Sequence, residues 1–135
     1  MVTGQEDHMV NTETLAKIAQ QNPDMFWYLG SVYTQHMFGT MGGYTEVLDW
    51  AKVLIKNGIV NFYSPILHWH ELSHAAGMNA IDHDLWMRID EAAMARCDGM
   101  IYCMMTNHHK SKGLAHEVKF FQNANKPVLY WEKWF

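Results

Sequence analysis

Short apolar runs alternate with helix-period segments along most of this chain, and that alternation narrows the fold more than any other feature. Residues 25–30, 59–63, 99–105 and 127–131 are mainly apolar or aromatic stretches of strand length. Between them, residues 44–56 carry Val47, Leu48, Ala51, Leu54 and Ile55 on one helical stripe and stop at Asn57-Gly58. Residues 83–97 read as a second helix with Asp82 as N-cap, and residues 111–125 as a third with Ser111 as N-cap. Residues 65–82 are expected to be an irregular, histidine-rich segment. Strands joined by helical crossovers make a parallel sheet covered on both faces. The expected fold is therefore α/β: a small doubly wound parallel sheet of four to five strands, flavodoxin-like or Rossmann-like in order.

A chain of 135 residues suits one domain with one core. Residues 25–135 are expected to form it, and residues 1–24 to be an N-terminal extension with a short helix over 12–21. With 49 % apolar residues the chain is globular, and a net charge of −4 argues against nucleic-acid polymers or acidic membranes as partners. No apolar run approaches the length of a membrane span, and the first ten residues lack a signal-peptide pattern. Cys97 and Cys103 form no CxxC motif and read as a buried, reduced pair in a cytoplasmic protein.

Ligand sites in such folds lie outside the carboxyl ends of the strands. That rule gathers Gly30, Ser31 and Tyr33, the segment after Tyr63, and the loop 106–112 into one crevice. Two acids can face it from apolar helix stripes. Glu117 stands at helical spacing between Leu114 and Phe121, and Asp90 between Trp86 and Met94. A carboxylate on an apolar stripe is costly unless paired or put to use, and Tyr28 can offer its hydroxyl to one of them. Paired carboxyls in a partly dry cleft suit cleavage of a glycosidic bond.

Four pieces, Tyr28-Leu-Gly-Ser-Val-Tyr-Thr34, Tyr63-Ser-Pro-Ile66, Asp90 with Cys97-Asp98, and Ser111-x-Gly-x-x-x-Glu117, recur in this order in a known group. The chain resembles the nucleoside 2-deoxyribosyltransferase-like superfamily, which includes nucleoside 5′-monophosphate N-glycosidases and small uncharacterised relatives. The resemblance implies that Glu117 is the nucleophile at the sugar's anomeric carbon, that Asp90 works on the base or its proton, and that Tyr28 orients the glutamate. It implies no cofactor, a nucleotide or nucleoside as small-molecule partner, and a homodimer or higher homo-oligomer. The loop 35–43 departs from the pattern, being glycine-rich and without the arginines some nucleotide hydrolases use there.

In the transferases the position matching Ser111 is typically an aspartate, and in the nucleotide hydrolases a serine. The basic run 107–113 leads into a helix N-terminus, which favours an anion. Hydrolysis of a 5′-monophosphate is accordingly expected over base exchange between nucleosides, with Ser111, Gly113, His109 and His68 among the binding residues. A rival reading takes His70-Glu-Leu-Ser-His74 as a zinc-hydrolase HExxH motif, with His70 and His74 as ligands and a third improvised from Asp82 or His83.

Overall fold

The computed structural model describes residues 7–79 and 82–134. Residues 1–6, 80, 81 and 135 lie outside it, including part of the expected N-terminal extension and the tail of the histidine-rich segment. The elements in chain order are β1 (Asp7–Val10), α1 (Thr12–Gln21), β2 (Trp27–Gly30), α2 (Gly39–Lys56), β3 (Phe62–Tyr63), α3 (Pro65–Ala75), α4 (His83–Met94), β4 (Gly99–Cys103), α5 (Lys112–Asn123) and β5 (Val128–Trp131).

All five strands are parallel and lie in the order β1-β5-β4-β2-β3. Every residue of β2 and β4 is buried, as expected of central strands covered on both faces. Their register sets Trp27 beside Gly99 and Gly30 beside Tyr102. On one face, Trp131 packs edge-on against Trp50 of α2 and donates its indole N–H to Thr12 of α1. On the other, Tyr28 meets Phe121 of α5, and α4 packs beside α5. Cys97 and Cys103 are both buried and free, and burial pushes the Cys97 thiol up to about 11. No helix among the described residues is long and apolar enough to cross a membrane.

Four elements differ from the sequence expectation. Residues 65–75 form a regular helix where an irregular segment is expected. Its start signal is sound: Ser64 caps Leu67 N and Pro65 occupies the first turn, where a missing N–H costs nothing. Helix α2 begins at Gly39, five residues before the expected Tyr44, and runs through Gly42 and Gly43. A Cβ on Gly43 would stand 2.6 Å from the Val32 carbonyl, so this glycine serves close packing of loop on helix, not a break. Strand β3 is only two residues long, and β1, within the stretch read as an extension, adds a strand beside β5.

The switch in strand order falls at β2. The chain leaves β2 for β3 on one side and then crosses back to β4 on the other, which opens a crevice at the carboxyl ends of β2 and β4.

Candidate active site

Helix α5 is aimed into that crevice. Ser111 accepts from Leu114 N as its N-cap, and Leu114, Glu117 and Phe121 make its buried face. Gly30, the last residue of β2, lets α5 approach. A Cβ there would collide with Met100 and stand 3.0 Å from Leu114 Cδ2 and 3.4 Å from Glu117 Oε1. The Glu117 carboxylate, 7 % exposed, accepts a 2.6 Å hydrogen bond at Oε2 from the hydroxyl of Tyr28, which is wholly buried behind it.

Helix α4 brings Asp90 to the same place. Its Oδ1 is out of solvent and has no hydrogen-bond partner among the described residues. Burial, and then the charge of Glu91, push the Asp90 carboxyl up to about 7. Glu117 also lies well above the usual carboxylate range, through burial first and the charge of Asp90 second, against the opposing bond from Tyr28. Burial and the neighbouring carboxylates hold the Tyr28 hydroxyl far above its ordinary value, so it is a donor at every working pH. Two carboxyls facing one cleft and raised by burial cannot both ionise cheaply. Tyr28 favours the charged form of Glu117, and Asp90 Oδ1 has no hydrogen-bond partner among the described residues; with Glu117 ionised, the proton the pair retains is on Asp90.

The cleft has a volume of about 300 Å³, and both carboxyls line it. Ser31, Tyr33, Ser111 and Gly113 line it too, as the sequence reading anticipates. Ser31 Oγ is buried with no hydrogen-bond partner among the described residues. Lys112 is the member of the basic run that reaches the cleft. His109 is exposed outside the lining, as is His68, whose ring lies beside Tyr63 and Trp69. His70 lines the cleft, with Nδ1 2.7 Å from Tyr33 Oη; His74 is exposed. Asp82 caps α4 through Leu85 N, and among the described residues no group of three or more His, Cys, Asp or Glu is placed to hold a metal.

Two features escape the sequence reading. The first is an apolar wall made by Ile66 and Trp69 of α3 with Trp86 and Met87 of α4, the two indoles meeting edge-on at 6.0 Å. The positions 66, 69 and 70 share a helix face, but only a helix assignment for residues 65–75 makes that visible. The second is a strut. Glu46 of α2 accepts from His36 at 2.7 Å and from Thr106 N at 3.1 Å, tying the loop after β2 to the loop after β4. Burial works against the charge on Glu46, but these bonds outweigh it and hold the carboxyl below its ordinary value.

Comparison with known proteins yields a family model: a domain of unknown function, DUF1937, matches residues 27–133 and so spans every residue that lines the cleft. No curated protein and no solved structure matches the chain.

Proposed function

The chain belongs to the DUF1937 family, and from its cleft we propose that it hydrolyses the N-glycosidic bond of a nucleoside 5′-monophosphate, releasing free base and sugar 5-phosphate. The observation that carries this reading is a buried carboxylate held by a tyrosine hydroxyl at 2.6 Å, beside a second carboxyl that burial pushes up to about 7. The resemblance to nucleoside 2-deoxyribosyltransferase-like proteins assigns the same three residues, Glu117, Tyr28 and Asp90, to this chemistry.

The reaction runs in two displacements. Glu117 attacks the anomeric carbon as the C–N bond breaks, and that bond's electron pair leaves with the base. Asp90 delivers its proton to the departing nitrogen. Water then attacks the same carbon, gives a proton to the Asp90 carboxylate, and frees Glu117. The Tyr28 hydroxyl holds Glu117 in line throughout. Ser111, Lys112 and the first turn of α5 supply donors for the phosphate, since free N–H groups and the dipole at a helix N-terminus favour an anion. Under the same reading the protein acts without a cofactor, as a homo-oligomer, in the cytoplasm.

The test is direct. The protein is incubated with a panel of nucleosides and 5′-monophosphates, and free base is measured. Monophosphates should be cleaved faster than their nucleosides, and water should outcompete an added base as acceptor. Faster transfer to an added base would make the protein a deoxyribosyltransferase instead. Glu117→Gln should fold as wild type and lose turnover by roughly 10³-fold or more, because no other group can form the covalent intermediate. A variant keeping a tenth of the activity would remove Glu117 from the nucleophile's role.

A further inference from the structure

His70 is the cleft-lining histidine of the HELSH segment, and its ring is held on several sides. The Tyr44 ring stacks on it with centroids 4.2 Å apart and planes 15° from parallel. The Tyr44 hydroxyl is itself anchored on Glu71, the acid of the same segment. Tyr33 approaches edge-on, its hydroxyl 2.7 Å from Nδ1. The Ser73 hydroxyl, also on α3, is committed to the His70 carbonyl. A Tyr33 hydroxyl that donates to Nδ1 leaves the neutral ring with its hydrogen on Nε2, and that is the tautomer we take. Burial and the neighbouring His74 both favour that neutral form. No described residue hydrogen-bonds Nε2.

The surroundings indicate what that N–H meets. His70 shares its helix face with Ile66 and Trp69, and Trp86 and Met87 continue the wall. Both indole N–H groups are used inside the protein, that of Trp69 on the Tyr63 hydroxyl and that of Trp86 on the Asn79 carbonyl. The His70 ring thus stands beside an apolar wall, with Asp90 next to Trp86 and Met87 on the α4 side. The anion-favouring start of α5 follows β4, on the other side of β2 from α3. A phosphate at that helix start would leave the tryptophan wall free for the flat leaving base.

We infer that His70 reads the leaving base, donating from Nε2 to an acceptor on its far edge, so that bases with an oxo group there are preferred over bases with an amino group. The inference rests on the N-glycosidase reading and deepens it. It also explains the HELSH segment without a metal: Glu71 anchors the tyrosine that stacks on the histidine.

The experiment compares kcat/KM for two pairs that exchange oxo for amino at the far edge, uridine against cytidine monophosphate and inosine against adenosine monophosphate. Wild-type protein should favour the oxo member about tenfold or more, the discrimination expected of one buried hydrogen bond. His70→Phe keeps a ring for Tyr44 and removes the donor, so the preference should collapse. Tyr33→Phe releases the tautomer and should weaken it. Nitrogen-15 spectra of the imidazole in the free protein should show hydrogen on Nε2, and that signal should move when uridine monophosphate is added to Glu117→Gln. Equal rates within each pair, or a preference that survives in His70→Phe, overturn the inference and leave the N-glycosidase reading standing. Hydrogen on Nδ1 in the free protein overturns it without any turnover measurement. Activity lost to a chelator and restored by zinc also overturns it, by returning His70 and His74 to a metal. If no monophosphate releases base, the N-glycosidase reading falls and the inference with it.

Discussion

At the scale of single residues, the chemistry turns on where one proton sits. Asp90 has an ordinary carboxyl value of 3.8, and its folded value is pushed up to about 7 by burial. A carboxyl whose folded pKa exceeds its unfolded one binds protons more tightly in the native state. Its contribution to stability is therefore complete below pH ~3.8 and is lost as pH rises through about 7. Asp90→Asn removes this liability, so the variant's melting temperature relative to wild type should climb as pH goes from acid to alkaline. Thermal unfolding across that range checks it, and a constant difference would mean that Asp90 ionises freely in the native cleft. The same proton shapes the rate. Wild-type base release should decline as pH rises through about 7, where Asp90 gives up its proton. The residual rate of Asp90→Asn should be far lower and flat over that range, with the Michaelis constant little changed. If only the Michaelis constant moved, Asp90 would be a binding residue.

At the scale of elements, α5 does two jobs that one substitution can separate. Ser111 caps the helix through Leu114 N and lines the cleft where the phosphate is proposed to lie. Aspartate caps a helix as well as serine, and its charge also suits the dipole. Ser111→Asp should therefore melt within a few degrees of wild type yet depress cleavage of monophosphates, leaving unphosphorylated nucleosides comparatively unaffected. Ser111→Ala should do the reverse, losing about 1 kcal/mol of stability with the cap and only part of the activity. Unfolding curves and rates on paired substrates distinguish the two. Equal losses on nucleoside and monophosphate in Ser111→Asp would detach this helix start from phosphate binding. Helix α3 illustrates the opposite case. Its sequence carries a cap and a proline in the first turn, yet its histidines obscure the apolar face, and a helix there is what aligns Ile66, Trp69 and His70 along the cleft.

At the scale of the whole molecule, residues 7–21 are part of the sheet and core. Leu15 of α1 is fully buried, Val10 of β1 is 5 % exposed, and Trp131 of β5 donates to Thr12. Leu15→Ala should cost roughly 2–5 kcal/mol, as a core truncation does, measured by denaturant unfolding. A loss comparable to that of Leu54→Ala is expected, because Leu54 is equally buried. A negligible loss would mean that α1 detaches readily and the remaining four strands hold by themselves.

The sequence by itself determined the α/β alternation, the parallel sheet, the caps at Ser111 and Asp82, and the crevice that gathers Ser31, Tyr33 and Ser111. Those follow from local periodicity and from a topological rule, neither of which needs distances. It also singled out Glu117, Asp90 and Tyr28, since an acid on an apolar stripe is visible in one dimension. Only the tertiary structure decided that the Tyr28 hydroxyl reaches Glu117 Oε2, across 89 positions of chain. It alone decided that β1 seals the β5 edge, and that Glu46 bridges His36 to Thr106. It also took His68 and His109 out of the cleft lining and left His70 in it. The physical reason is the same in each case. Which polar atoms meet, and which lose their water, depends on how helices and loops pack over the sheet, and residue spacing carries no record of that.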